Sequence, residues 1–210
     1  MATLLDVQNL SISFRTYRGI LAATHDVTLH VDAGETVGIV SETGCGKSVT
    51  AHADMRPLPA ATTIYSSGTI TWDGEAIQGY TEKEMNHLRG REMAMVFQDP
   101  MTALNPVLSI GSQIREGLTL HQHLSRSDAD QEAAALLREV GITSPERRLH
   151  QYPHELSGGM RQRCLIAMAL ACSPRLLFAD EPTTALDVTT EAKVLPPLRR
   201  LKADRPLAVV

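Results

Sequence analysis

The sequence predicts an α/β fold, and three of its features carry that prediction. Residues 36–40 (TVGIV) form a continuous apolar run that leads into a glycine-containing loop and then a helix, the pattern of a strand buried on both faces of a parallel sheet. Residues 176–179 (LLFA) form a second run of the same kind. Between these β-rich halves the spacing of apolar residues turns helical over residues 109–140, which predicts a helical subdomain inserted at about residues 100–160.

Taken in chain order, Leu5, Val7, Leu10, Ile12 and Phe14 read as one strand, and Val27, Leu29 and Val31 alternate as another. Residues 69–72, followed by Asp73-Gly74, predict a hairpin with a tight turn. Residues 93–97 are a further short strand. In the helical block Ala133, Leu136, Leu137 and Val140 share one face, with Ser127 and Asp128 as capping candidates. Residues 157–172 read as a helix, residues 190–202 are helical in pattern except at Pro196-Pro197, and residues 207–210 begin a strand.

Bulk properties narrow the field. The 210 residues suffice for one domain with or without a subdomain. At 43% hydrophobic and 21% charged residues the composition is that of an ordinary folded chain. A formal net charge of -4 argues against nucleic acid as a partner. No apolar run approaches the roughly 20 residues of a membrane-crossing helix, and the N-terminus lacks the basic and apolar blocks of a secretory signal. Cys45, Cys164 and Cys172 are odd in number and show no CxxC spacing, so they read as free thiols of a reducing cytosol.

Three segments carry chemistry. Ser41-Glu42-Thr43-Gly44-Cys45-Gly46-Lys47-Ser48, followed by Val49, lies between the strand and the helix. Glycines there turn backbone N–H groups inward around phosphate oxygens, and the helix N-terminus adds partial positive charge. Lys47 suits the β- and γ-phosphates and the Ser48 hydroxyl suits Mg²⁺. The alternative for this segment alone is a polar turn. Second, residues 176–179 end in Asp180-Glu181, and buried strands rarely carry adjacent acids without a cation or water to serve. Asp180 would hold Mg²⁺ and Glu181 would polarise an attacking water; the alternative is an acidic exit before Pro182. Third, Ser157 caps a helix whose first residues, Gly158 and Gly159, leave backbone N–H groups open to an anion.

These motifs in this order, with Ala185-Leu186-Asp187 after them, resemble the ATP-binding cassette (ABC) family over essentially the whole chain. The resemblance implies a P-loop NTPase fold of the ABC type, one domain over residues 1–210, with an antiparallel β subdomain and the inserted helical subdomain. It implies ATP and Mg²⁺ as cofactors and Ser157, Gly158 and Gly159 contacting the nucleotide held by a second, head-to-tail ATPase subunit, identical or related. Asp187 would communicate across that interface. Gln98 matches the glutamine that senses Mg²⁺ and attacking water, with a strand-end amide as the alternative. Tyr17 stands near the place of an adenine-stacking aromatic, although Phe14 is close and either could be packing.

Residues 97–106 (FQDPMTALNP), Tyr152-Pro153-His154-Glu155 and residues 179–188 (ADEPTTALDV) are similar to the branch that drives bacterial import of dipeptides, oligopeptides, glutathione and nickel. That branch implies a peripheral subunit on the cytoplasmic face of the inner membrane, seated on permease subunits and served indirectly by an extracytoplasmic solute-binding protein. Two other readings are a non-transport ABC ATPase and a truncated or degenerate subunit that binds nucleotide or partners without turnover.

The sequence departs from the pattern in three places. Ser41 replaces the first glycine of the loop; His52, Asp54 and Pro57 follow in a helix where leucines are usual, as does Pro196 later; and the chain ends at Val210, before a switch histidine, its last histidine being His154. The expectation is weak Mg-ATP binding, slow hydrolysis and an exposed sheet edge.

Overall fold

The computed structural model describes residues 2–40, 46–55, 62–180 and 206–210. Ser41, Glu42, Thr43, Gly44, Cys45, Pro57, Glu181, Asp187 and residues 190–202 lie outside the described residues, as do the side chains of His52 and Asp54. Two compact units divide the chain, Met1–Arg89 with Ala208–Val210 and Gly90–Leu207.

The first unit is built on a four-stranded sheet in the order β2-β1-β3-β4, every pair of it antiparallel: β1 (Thr3–Thr16), β2 (Gly19–Asp32), β3 (Thr63–Trp72) and β4 (Glu75–Ala76). Leu5, Val7, Leu10 and Ile12 of β1 are buried with Val31, Ile70, Trp72, Ile77 and Met85. Alternation along β1, reset by the irregularity between Val7 and Leu10, is what makes one sheet face apolar. The Asp73-Gly74 turn forms as its residues predict, with φ of 49° and 86° joining Trp72 to its partner Glu75. Helix α1 (Lys47–Met55) follows Gly46, and α2 (Glu82–Leu88) starts at a capping box of Thr81 and Glu84.

Residues 36–40 do not form the buried strand their apolar run predicts. Thr36 makes a single parallel bridge to Val209, through Val37 N–H to the Val209 carbonyl (2.8 Å) and Val209 N–H to the Glu35 carbonyl (2.9 Å). Val209 belongs to the short strand β7 (Ala208–Val209). Beyond this rung the segment has no strand assignment, and Val40 is 95% exposed. An apolar run becomes a strand only where neighbours continue the ladder on its edges, and among the described residues pairing here stops after one rung.

The second unit pairs β5 (Met93–Val96) in parallel with β6 (Leu176–Ala179) and inserts its helices between them. These are α3 (Pro100–Ala103), α4 (Ile110–Gln122), α5 (Arg126–Glu139), α6 (Pro145–Leu149), a 3-10 turn (Pro153–Glu155) and α7 (Gly158–Leu170). Met93, Ala94, Val96, Leu176, Leu177 and Phe178 are buried with Ile114, Leu118, Leu137 and Ile166 of the helices. The cap of α5 is Ser125 rather than Ser127. Ser125 holds the extended backbone that precedes a helix and accepts the Asp128 N–H (3.2 Å), whereas Ser127 is already inside the first turn. Asp128 does serve the cap, its carboxylate accepting the Ser125 hydroxyl at 2.7 Å. No helix among the described residues is long and apolar enough to cross a membrane.

Candidate nucleotide-binding site

Three structural pieces carry the residues singled out by the sequence. The first is the start of α1. Gly46 has φ +88°, and a Cβ there would stand 2.7 Å from the Ala23 carbonyl oxygen and 2.8 Å from Thr24 Cγ2. Only glycine lets β2 and the helix start approach so closely. The Gly46 carbonyl accepts the Thr50 N–H (2.9 Å) and the Thr50 hydroxyl (3.1 Å), closing a first turn that contains half-buried Lys47, Ser48 and Val49. That turn holds no acid of its own, so none of its side chains competes with an anion for its amides and the positive end of the helix dipole. At the other end, Arg89 Nε donates to the Met55 carbonyl at 2.8 Å, placing a cation on the negative end of the helix. A glycine cradle under an acid-free helix start, with a lysine and a hydroxyl in its first turn, fits a phosphate group.

The second piece is the edge of the β5–β6 pair. The register runs from Met93↔Leu176 to Val96↔Ala179, and the Asp180 N–H donates to the Val96 carbonyl at 3.0 Å. The two strands therefore end level. Asp180, just past Ala179, and Gln98, two residues past Val96, leave the same end of this parallel pair. Asp180 is half-buried and Gln98 exposed. Asp99 then caps α3, its carboxylate accepting the Met101 N–H at 2.8 Å, with Pro100 as the first helical residue. The Asp180 carboxylate and the Gln98 side-chain carbonyl both offer oxygen, the donor that Mg²⁺ prefers. Among the described residues no three His, Cys, Asp or Glu side chains converge as a metal cluster.

The third piece is the start of α7. Ser157 is its cap, accepting the Met160 N–H at 3.4 Å, and Ser157 and Gly158 are exposed. A Cβ on Gly158 would meet nothing within 4 Å. This first turn also lacks an acid.

Tyr17 sits in the turn between β1 and β2, 91% exposed, with the Arg18 guanidinium carbon 5.2 Å from its ring centroid, whereas Phe14 is half-buried in β1. Burial pushes the Cys164 thiol up to about 12, and it raises Cys172 as well. Neither thiol is poised as a nucleophile. Sequence reasoning missed Arg89 and Arg161, which reach backbone carbonyls far from or just before them in the chain. For Arg161 the available signal is a basic side chain four positions after the capping serine.

A family model described as ABC transporter matches residues 24–184. The chain belongs to the ABC transporter family. Among curated ABC relatives, the oligopeptide transport ATP-binding protein OppD of Bacillus subtilis is 50% identical over 199 residues, covering 95% of this chain and 56% of that protein. The dipeptide transport ATP-binding protein DppD of the same organism is 46% identical over 210 residues, covering 100% of this chain and 63% of that protein. The chain thus spans little more than half to just under two thirds of the length of these relatives. Among solved structures, the dimeric ATP-binding cassette MJ0796 in a post-hydrolysis state bound to ADP and Pi aligns with a TM-score of 0.86 at 26% identity, over 99% of this chain and 87% of that one. The fold is that of an ABC-type nucleotide-binding domain, α/β with an antiparallel β region and inserted helices.

Proposed function

We propose that this ABC chain is the ATP-binding and ATP-hydrolysing subunit of a bacterial importer of peptides or related solutes. The observation that carries the reading is the level ending of β5 and β6, which releases Gln98 and Asp180 from one end of a parallel pair. The names of the relatives, oligopeptide and dipeptide transport ATP-binding proteins, support the solute class. Residues 1–210 form one ATPase domain in this reading, with the helical subdomain at about residues 100–160. It works on the cytoplasmic side of the inner membrane, paired head-to-tail with a second ATPase subunit and seated on permease subunits, with a solute-binding protein outside.

Residues 41–45 with Gly46 and Val49 wrap the phosphates in this scheme, and Tyr17 stacks on adenine. Lys47 offsets charge on the β- and γ-phosphates. Ser48, Gln98 and Asp180 hold Mg²⁺, which when bound supplies further charge neutralisation. Glu181 orients or deprotonates the attacking water with help from Gln98. Ser157 and the amides of Gly158 and Gly159 face the γ-phosphate bound by the partner subunit, and Asp187 carries the contact across the interface.

Titration of the purified chain with a fluorescent ATP analogue and Mg²⁺, alongside phosphate release, tests the site. Lys47→Ala is expected to weaken binding at least about tenfold. Glu181→Gln should keep binding and slow release by about 10²–10⁴. Binding indifferent to Lys47→Ala sinks the nucleotide reading. Stimulation of hydrolysis by peptide-loaded binding protein, with the permease in vesicles, tests the importer reading; no response to any peptide removes that part alone.

A further inference from the structure

Arg161 is placed where helix stability alone disfavours it. It is the fourth residue of α7, close to the positive end of the helix dipole, where cations are unfavourable. Its side chain turns back out of the helix. Nε donates to the Pro153 carbonyl at 2.6 Å, and a terminal nitrogen lies 3.5 Å from the His154 carbonyl. The other terminal nitrogen contacts the Met101 sulfur. Pro153 and His154 belong to the 3-10 turn that leads into the Ser157 cap, and Met101 belongs to α3, which starts two residues after Gln98.

One planar guanidinium therefore joins the segment after Gln98, the turn before Ser157 and the helix that presents Gly158 and Gly159. Charge-assisted bonds to carbonyls are stronger than neutral ones, and the fork of arginine reaches several acceptors at once where lysine reaches one. We infer that Arg161 is a positioning residue that ties the Ser157–Gly158–Gly159 start of α7 to the Gln98 segment, so that displacement of one is transmitted to the other. The functional half of this inference rests on the ATPase reading above.

Amide hydrogen exchange on the whole chain tests the tie without requiring activity. Arg161→Ala is expected to speed exchange about tenfold both at residues 157–160 and at residues 99–104, with Arg161→Lys intermediate. Met101→Leu keeps the side-chain volume, removes the sulfur acceptor, and should speed exchange at residues 157–160 about two- to threefold. In ATP hydrolysis, Arg161→Ala should lower kcat about tenfold while KM stays within about twofold, because the nucleotide held by the chain's own α1 is untouched. Unchanged exchange at residues 99–104 in Arg161→Ala overturns the inference, whether or not ATP is hydrolysed. A fall in kcat matched by a rise in KM, with no rescue by lysine, also overturns it. Failure of the wild-type chain to hydrolyse ATP counts against the ATPase reading instead, and the exchange pattern alone then decides the tie.

Discussion

Helices α1 and α7 start in similar ways, with glycine at the entrance and no acid in the first turn, yet glycine is there for opposite reasons. At Gly46 the fold itself demands it: the backbone is left-handed, and a Cβ would collide with Ala23 and Thr24. At Gly158 the fold demands nothing, since a Cβ would enter open space. A glycine that packing among the described residues does not need leaves its helix start open. The two helix starts also differ in how they are held. The first turn of α1 is pressed against β2, whereas α7 is anchored further along, at buried Gln162, Cys164, Leu165 and Ile166, and its first turn projects from that anchor.

Substitutions test this contrast directly. Gly46→Ala should cause the largest loss of stability, about 2–4 kcal/mol from strain and overlap together, read by urea unfolding. The anchored part of α7 answers to pH. The Cys164 thiol is moved by burial from 9.0 to about 12, so between these values the unfolded chain has lost a proton that the folded chain keeps. Stability from this thiol is fully present below the lower value and falls as pH rises through the window, by about 1.4 kcal/mol per unit. Urea midpoints of wild type and Cys164→Ala at pH 8 and pH 10 should therefore converge or cross; parallel changes would refute burial as the cause. Ser157→Ala removes one long capping bond and should cost about 0.5–1 kcal/mol. Gly158→Ala should shift stability by no more than about 0.5 kcal/mol, toward the more stable side, while lowering ATP turnover. If Gly158→Ala unfolds the chain as readily as Gly46→Ala, the contrast between the two helix starts is wrong.

Much of the local structure was legible because its causes lie within a few residues. Ser157 caps α7 since its oxygen faces an amide three residues on, and Asp73-Gly74 turns because both residues tolerate positive φ. The cap of α5 stands two residues before the predicted Ser127, because Ser125, Ser127 and Asp128 all carry capping oxygens and only the backbone decides which one precedes the first turn. Residues 36–40 predict a buried strand by their apolar run, but such a run says nothing about which neighbours will complete the ladder.

The motifs, their order, the capping and turn chemistry and the α/β class are properties of contiguous residues and can be read along the chain. Folding in three dimensions set the rest: β5 and β6 end level, Gly46 lies against β2, and Arg161 reaches Met101. Each of these joins segments far apart in the chain, and strand register, close backbone approach and side-chain reach are set by the partner segment as much as by the residue itself.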